Sequence, residues 1–346
     1  MRVRVVSGPD LDDFAHRVAA LTSAVSINRI GSNDLAWLGR EVVAAACAPQ
    51  THASRLWVLL SNDGQDLAAI EMEASLGTDG PPDCELWLHP LAGVEEVLPE
   101  ALAVCREFAA EHARASVLVW YLHREQDASL TSPVGVGSIG RDEMAQALLG
   151  SGARLAQVWR VSALEAAHQG SPIEPAEGYR LVHWFGATPP EWRSRVAIMR
   201  QVTASDAPTG ETGYVAEPFT AEQIAVEEAA AGQAGRELVT VLALAADDSA
   251  AGLTQVAVAA GTDLAWQWDT SVAPTHRGRG LGRALKTLCA ELVRAGHPEV
   301  RRIITVNAAE NVHMISINEE LGWRPIAHKG VWLMGSGEAD PVAGSA

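Results

Sequence analysis

The stretch Asp269-Thr-Ser-Val-Ala-Pro-Thr-His-Arg-Gly-Arg-Gly-Leu-Gly-Arg-Ala-Leu-Lys286 decides how the rest of the sequence is read. An alternating segment over 263–272 predicts a strand that ends near Val272, and a glycine-rich turn follows it. Leu281, Leu285, Leu288, Cys289, Leu292 and Val293 then recur at helical intervals, so a helix over 281–295 is expected to bury one stripe. The first N–H groups of a helix lack internal acceptors and carry the positive end of its dipole, which makes them an anion site. Gly278, Gly280 and Gly282 let the main chain approach phosphate oxygens, and Arg277, Arg279 and Arg283 add positive charge. A pyrophosphate suits such a corner best; a plain strand-to-helix turn is the bland alternative. Neither the G-x-G-x-x-G dinucleotide fingerprint nor the G-x-x-x-x-G-K-[ST] phosphate loop is met, because Arg283 follows Gly282 and no Gly-Lys-Ser/Thr step occurs here.

Working outward, the same order of elements occurs twice. The first half predicts strand 2–6, helices near 10–26 and 33–47, strands 54–61, 66–75 and 84–89, helix 94–112, strand 116–122, helix 140–149 and strand 154–163. The segment AAHQGSPIEPAEG at 166–178 reads as a linker. The second half predicts strand 179–185, helices 190–203 and 219–233, and strands 237–245, 253–259 and 263–272. Helix 281–295, strand 302–306, helix 311–321 and a terminal strand pair around 324–333 follow. The expected architecture is therefore α/β (α+β): two tandem domains, 1–165 and 179–336, each a mixed, mostly antiparallel twisted sheet flanked by helices, with a disordered tail at 337–346.

A chain of 346 residues suits two domains of ordinary size, and 48% hydrophobic residues suffice for a sizeable core. The 26 basic and 43 acidic residues leave a net charge of −17, a poor surface for nucleic acid or an anionic membrane. The acidity is shared, with 12 basic against 22 acidic residues in 1–170 and 14 against 21 beyond. Lys286 and Lys329 are the only lysines, a bias toward Arg that reads as high-GC bacterial coding. Four cysteines at wide spacing suggest neither zinc nor a redox pair, so no metal is expected, and free buried thiols of a cytoplasmic protein are. No apolar run is long enough for a signal peptide or a membrane span.

The run Arg277-Gly-Arg-Gly-Leu-Gly282, R-x-x-G-x-G after a V-x-P step, resembles the acyl-CoA pyrophosphate loop of the GNAT acetyltransferase superfamily. Downstream, Asn311-Val-His-Met-Ile-Ser-Ile-Asn-Glu-Glu-Leu-Gly-Trp323 resembles the second signature of that family, N-x-x-A-x-x-x-Y-x-x-x-G-F. The two-domain plan is similar to that of mycothiol-synthase-like acyltransferases. The resemblance implies that the amides of Gly278, Arg279, Gly280, Leu281, Gly282 and Arg283, with Arg277, hold the pyrophosphate of acetyl-CoA or another acyl-CoA. It implies too that Val272 ends a splayed strand beside the pantetheine and thioester, that a nearby backbone N–H stabilises the oxyanion, and that Asn311 contacts the cofactor or fixes its loop.

Catalytic side chains are less sharply marked. Asn318 stands at the catalytic-site position where the family often has Tyr; an amide can donate a hydrogen bond but cannot supply a proton at neutral pH, so a solvent proton can serve the leaving thiolate and the acid stays unassigned. The C-terminal half has only Tyr179 and Tyr214, both far from that motif in sequence. Asp269 is the first choice of base and Glu310 the second; a solvated or capping carboxylate is the other reading of Asp269. Trp266 and Trp268 alternate with Gln267 and Asp269, so one strand face carries indoles that hold either an acceptor or the core. Trp120, Trp159, Trp184 and Trp192 read as core or interdomain residues, His276 as a rim of the phosphate loop and His313 as helix surface.

The first half has the matching strand, turn and helix but a different turn. It reads Leu86-Trp-Leu-His-Pro-Leu-Ala-Gly-Val-Glu-Glu-Val-Leu-Pro99, with no arginine and with Glu95 and Glu96 where a pyrophosphate would dock. A degenerate GNAT-like domain without CoA binding is one reading and an unrelated α/β domain the other. The expected whole is a cytoplasmic N-acetyltransferase acting on a primary amine of a small, cationic molecule, as monomer or homodimer. Its rivals are a longer-chain acyl-CoA N-acyltransferase of an amino sugar and a non-catalytic acyl-CoA-binding regulatory module.

Overall fold

The alternating segments become strands and the 3.6-periodic ones helices, most boundaries lying within a few residues of those expected; the helix expected from 33 begins only at Gly39, after a turn. The computed structural model describes residues 2–5, 10–48, 53–123, 130–168, 172–215 and 219–337, of which 2–5 as backbone only. Residues 338–346 of the tail expected at 337–346 and residues 169–171 of the linker lie outside these. The first half contains β1 (Arg2–Val5), α1 (Leu11–Ile30), α2 (Gly39–Cys47), β2 (Ala53–Asn62), β3 (Gln65–Ser75), β4 (Asp83–Leu88), α3 (Val94–Glu111), β5 (Ser116–His123), β6 (Leu130–Thr131), β7 (Ser138–Ile139), α4 (Glu143–Gly150) and β8 (Arg154–Glu165). The second contains β9 (Tyr179–Phe185), α5 (Arg193–Asp206), α6 (Ala221–Gln233), β10 (Arg236–Ala245), β11 (Ala250–Ala259), β12 (Leu264–Val272), α7 (Leu281–Gly296), β13 (Arg302–Ala308), α8 (Val312–Glu320) and β14 (Arg324–Gly335).

Two details differ from the sequence expectation. The terminal strand pair is one strand, β14, whose register shifts at Pro325/Ala327 and Val331/Trp332. The small ladder of β6 and β7 was not anticipated, two residues per strand being too short for a periodic signal.

Twelve strands form one continuous sheet in the order β1-β2-β3-β4-β5-β14-β8-β13-β12-β11-β10-β9. It is mostly antiparallel, with parallel pairs only at β4/β5 and β12/β13. The last strand of each half completes the other half's portion of the sheet. β8 pairs with β13, from Arg302 opposite Glu165 to Ala308 opposite Trp159, while β14 pairs with β5. The two exchanged strands pair with each other at the centre. By pairing, residues 154–165 and 324–335 belong with the half opposite to their place in sequence.

Helices cover both faces. The stripe of α7 is buried as expected: Leu281, Leu285, Cys289 and Val293 pack with Val239, Val241, Val256, Ala265 and Ile303. Full burial of each such aliphatic side chain is worth roughly 1.5–3 kcal/mol. At Gly252 on β11 an added Cβ would lie 2.8 Å from Leu285 Cδ1, so this glycine lets α7 approach the sheet. Phe14, Val18 and Leu21 of α1 pack with Trp57, Leu122, Val161 and Ile304, an apolar layer drawn from both halves. Buried Asp34 is paired with Arg301 and Arg302, and Glu41 accepts a hydrogen bond from Arg236 at 2.8 Å, tying the halves together electrostatically. Cys84, Cys105 and Cys289 are buried free thiols, but Cys47 is exposed, because α2 ends there at the surface. Among the described residues no helix is long and apolar enough to cross a membrane, and no cluster of three or more His, Cys, Asp or Glu could hold a metal ion.

Candidate active site

The parallel pair β12/β13 is registered only at Leu264–Arg302, Ala265–Ile303 and Trp266–Ile304. Beyond that point the strands part, and β13 continues against β8 alone. The end of β12 therefore has β11 on one side and an open gap on the other. Ala273 N–H donates to Ala251 C=O at 2.9 Å, and Val272 lies opposite Gly252. Hydrogen-bonded and non-hydrogen-bonded positions alternate along an antiparallel ladder, so the Val272 N–H points away from β11 and into the gap.

On the β11 side the register slips by one, since Thr254 faces Thr270 while Val256 faces Gln267. The extra residue is a bulge, and it re-aims side chains. Gln267 turns inward, where its Nε2 donates to Gln255 C=O at 2.7 Å and to Thr254 Oγ1 at 3.0 Å. Trp268 and Asp269 both border the cleft, although strict alternation had placed them on opposite faces. Trp266 lies outside the cleft and packs against the layer around Phe14 and Trp57.

The gap opens into a cleft of about 1010 Å³. One end is the loop before α7. Gly278 and Gly280 adopt φ of +75° and +73°, in the left-handed region that favours glycine, and an added Cβ at either would meet nothing within 4 Å. Gly280 is the N-cap of α7. Among the described residues no backbone acceptor takes the N–H groups of Gly278, Arg279, Gly280, Leu281 or Gly282. These N–H groups are left open at the start of α7, the backbone arrangement that can receive an anion.

The arginines divide. Arg277 bonds Val272 C=O at 3.0 Å and pairs with Asp206; Arg283 pairs with Glu320; both border the cleft. Arg279 turns out of it, donating to Tyr179 Oη at 2.6 Å. Tyr179, distant in sequence, thereby braces the loop, because it also bonds His276 Nδ1 at 3.0 Å.

The candidate acid–base residues are dispersed. Asp269 borders the cleft with Arg200 Nε 2.6 Å from its carboxylate; burial pushes its carboxyl above the usual range while Arg200 pulls the other way. Asn311 caps α8, its Oδ1 accepting from Met314 N–H at 3.2 Å, and it borders the cleft. Asn318 does not: only 3% exposed, it donates to Asn307 Oδ1 at 2.9 Å and so holds a neighbour that does border the cleft. Its amide is too short to reach where a tyrosine would extend. Glu310 also lies off the cleft, with both carboxylate oxygens buried and without a hydrogen-bond partner among the described residues.

The other end of the cleft comes from parts of the chain that the sequence did not mark. Asp83, Leu118 and Trp120 belong to the first half, and Gln157 and Trp159 to its exchanged strand β8. The indoles of Trp120 and Trp159 lie 5.4 Å apart between centroids, and Trp120 Nε1 donates to Asp83 at 2.6 Å. Burial raises the Asp83 carboxyl to about 6. Trp120 and Trp159 thus serve as cleft wall, whereas Trp184 is core. Tyr214 and His313 also border the cleft. Lys286 was missed as well, although one signal was available: Gly282, Lys286, Cys289 and Val293 share a helix face at helical intervals.

Residues 205–323 match the family model described as the acetyltransferase (GNAT) family. Over this segment the chain is similar to the GNAT family. The fold of the whole chain has solved counterparts. A tandem GNAT protein from the clavulanic acid biosynthesis pathway, solved without AcCoA, superposes with TM-score 0.76 at 22% identity, over 98% of this chain and 99% of that one. A GCN5-related N-acetyltransferase from Sphaerobacter thermophilus gives TM-score 0.65 at 16% identity, over 97% and 95%. Identities this low speak to the fold alone. No curated protein matches the sequence. In this chain the splayed strands, the glycine loop and the start of α8 converge on the cleft described above.

Proposed function

We propose that the protein transfers an acyl group, acetyl foremost, directly from a CoA thioester to a primary amine of a cationic small molecule. The observation that carries this reading is a single cleft with a cradle of unpaired amide N–H groups at one end and carboxylates with indoles at the other. The residues fit an acyl-CoA: the open space over Gly278 and Gly280 leaves the amides accessible to a pyrophosphate, and the strand gap leaves room for an extended chain. When bound, the thioester supplies an activated acyl carbon.

The protein's own groups have clear tasks. The N–H groups from Gly278 to Gly282 bind the diphosphate, with Arg277 and Arg283 beside them. The Val272 N–H faces the gap, placed to stabilise charge on a carbonyl oxygen there. Asp269 accepts a proton from the incoming ammonium, directly or through water, and its burial raises its basicity for that purpose. Trp268, Trp120 and Trp159 offer indole faces that suit a cationic acceptor. Asn311 and Asn318 keep α8 and Asn307 in place.

Calorimetric titration with acetyl-CoA and with longer acyl-CoAs, followed by a panel of amines read by thiol release, tests this reading. Binding of acetyl-CoA with release of thiol on addition of a cationic amine is expected. Tighter binding and faster turnover with a longer acyl-CoA would move the acyl preference; binding without turnover of any amine would leave a regulatory module; no binding would end the proposal.

A further inference from the structure

One charged side chain on the cleft has no place in the scheme above. Lys286, in the second turn of α7, is 1% exposed yet borders the cleft. Its Nζ lies 4.8 Å from the Trp323 ring centroid and 3.5 Å from Thr270 Oγ1, and among the described residues no carboxylate pairs with it. An ammonium buried without an anion is costly, so such a lysine belongs where its charge is either absent or met by a ligand.

The surroundings locate the missing anion. Thr270 and Val272 lie two apart on β12, so their side chains share a face, and both occupy positions whose N–H groups point into the gap. Lys286 Nζ is therefore beside the strand segment that faces the thioester in the reading above. The sulfur is bonded to the same carbon as the carbonyl oxygen and falls within the same few ångströms.

We propose that Lys286 is the proton donor to the departing CoA thiolate, filling the role that Asn318 cannot; this rests on the acyl-CoA reading. The acceptor nitrogen forms its bond to the acyl carbon, the C–S bond breaks with its electron pair going to sulfur, and sulfur takes a proton from Lys286 Nζ. The bonded nitrogen sheds its second proton to solvent and the lysine recovers one from there, so that of the two protons the ammonium loses, the first through Asp269, one ends on sulfur and one in solvent. Its proton affinity suits the task. Burial lowers the Lys286 ammonium to about 7, below the ordinary thiol value of about 8.5, so transfer to a thiolate is downhill. The groups around it do not compete: Thr270 from β12 and Trp323 after α8 are uncharged, Cys289 on its own helix is pushed up to about 12 and stays a thiol, and Arg283 is paired with Glu320.

The test uses Lys286→Met, with Lys286→Gln as a second variant in case the first fails to fold. Acetyl-CoA affinity should stay within about threefold while kcat falls on the order of 100-fold. In the wild type kcat should decline as pH rises through about 7, and this limb should vanish in the variants. Independently of turnover, the ultraviolet absorbance of the thiolate of bound CoA should appear at lower pH in the wild type than in either variant. Unchanged kcat, a retained limb, or identical thiolate titration would overturn the assignment. If the wild type binds no CoA thioester the underlying reading fails; if it binds and turns over while the variants match it, only the role of Lys286 fails.

Discussion

The molecule contains the same backbone device twice, and only one copy is open. In the first half β4 and β5 are paired in parallel at Asp83–Leu118, Cys84–Val119 and Glu85–Trp120, just as β12 and β13 are paired over three residues in the second. Beyond the last pair the first half buries Trp87, Tyr121 and His123, at 2%, 1% and 0% exposure. His123 is held by Asp142 at 3.1 Å and by the Trp332 indole at 3.3 Å. The second half leaves the corresponding gap as a cleft. The helices after the two gaps differ in sign as well: α3 begins with Glu95 and Glu96, α7 after Arg277 and Arg279. A splayed strand pair is thus necessary for a site of this kind and far from sufficient; side-chain volume and charge decide which copy is usable.

The closed copy still contributes. Through Asp83, Leu118 and Trp120, and through Gln157 and Trp159 on the exchanged strand, the first half lines part of the other half's cleft. A half without a phosphate cradle is thereby tied to the chemistry of its neighbour.

Four variants break or sharpen this contrast. The largest effect is expected for Gly280→Val, which forces a β-branched residue to φ of +73° in the cradle. Loss of several charge-assisted amide contacts should weaken acetyl-CoA binding by about 100-fold or more in calorimetry, and retained affinity would place the cofactor elsewhere. Next, Asp269→Asn should leave that affinity within about twofold while lowering kcat by roughly 100-fold, measured as thiol release. An unchanged rate would remove Asp269 as the base.

The contribution of the first half is probed by Asp83→Asn. It should raise the KM for a cationic amine by about tenfold without altering acetyl-CoA affinity. Stability gives a second readout. A carboxyl whose folded value is raised to about 6 favours the folded state at low pH, and that contribution is lost as pH rises through 6; the ionised Asp83 is therefore a cost at pH 7. The Asn variant should consequently unfold at a higher temperature than the wild type at pH 7 to 8, with the difference shrinking toward pH 4. The smallest effect is expected from Glu95→Gln combined with Glu96→Gln. Repulsion at the start of α3 is relieved, but Trp87, Tyr121 and His123 still fill the gap, so calorimetric stoichiometry should remain one acetyl-CoA per chain. A second binding event would mean that charge alone had closed the first half.

The sequence was most informative where a function depends on consecutive residues. The turn from Arg277 to Arg283 and the stripe of α7 were legible because a phosphate cradle and a helix face are local objects, written at fixed spacing. The elements themselves, each a few residues from its expected bounds, were legible for the same reason. What stayed hidden depends on residues far apart in the chain. No periodicity distinguishes β8 and β14 from strands that remain with their own half, since pairing partners are chosen by long-range register. The bulge near Gln267 turned Asp269 and Trp268 to the same cleft against strict alternation.

The sequence by itself determined the two-fold repetition of architecture and the glycine-rich turn of open amides before α7, because each rests on local spacing. Only the tertiary structure decided which carboxylates, indoles and lysine meet in the cleft, and that Glu310 and Asn318 do not. The physical reason is that a side chain's function follows its surroundings: Lys286 is an ordinary surface letter in the sequence, and burial beside a strand gap, without a counter-charge, is what sets it apart.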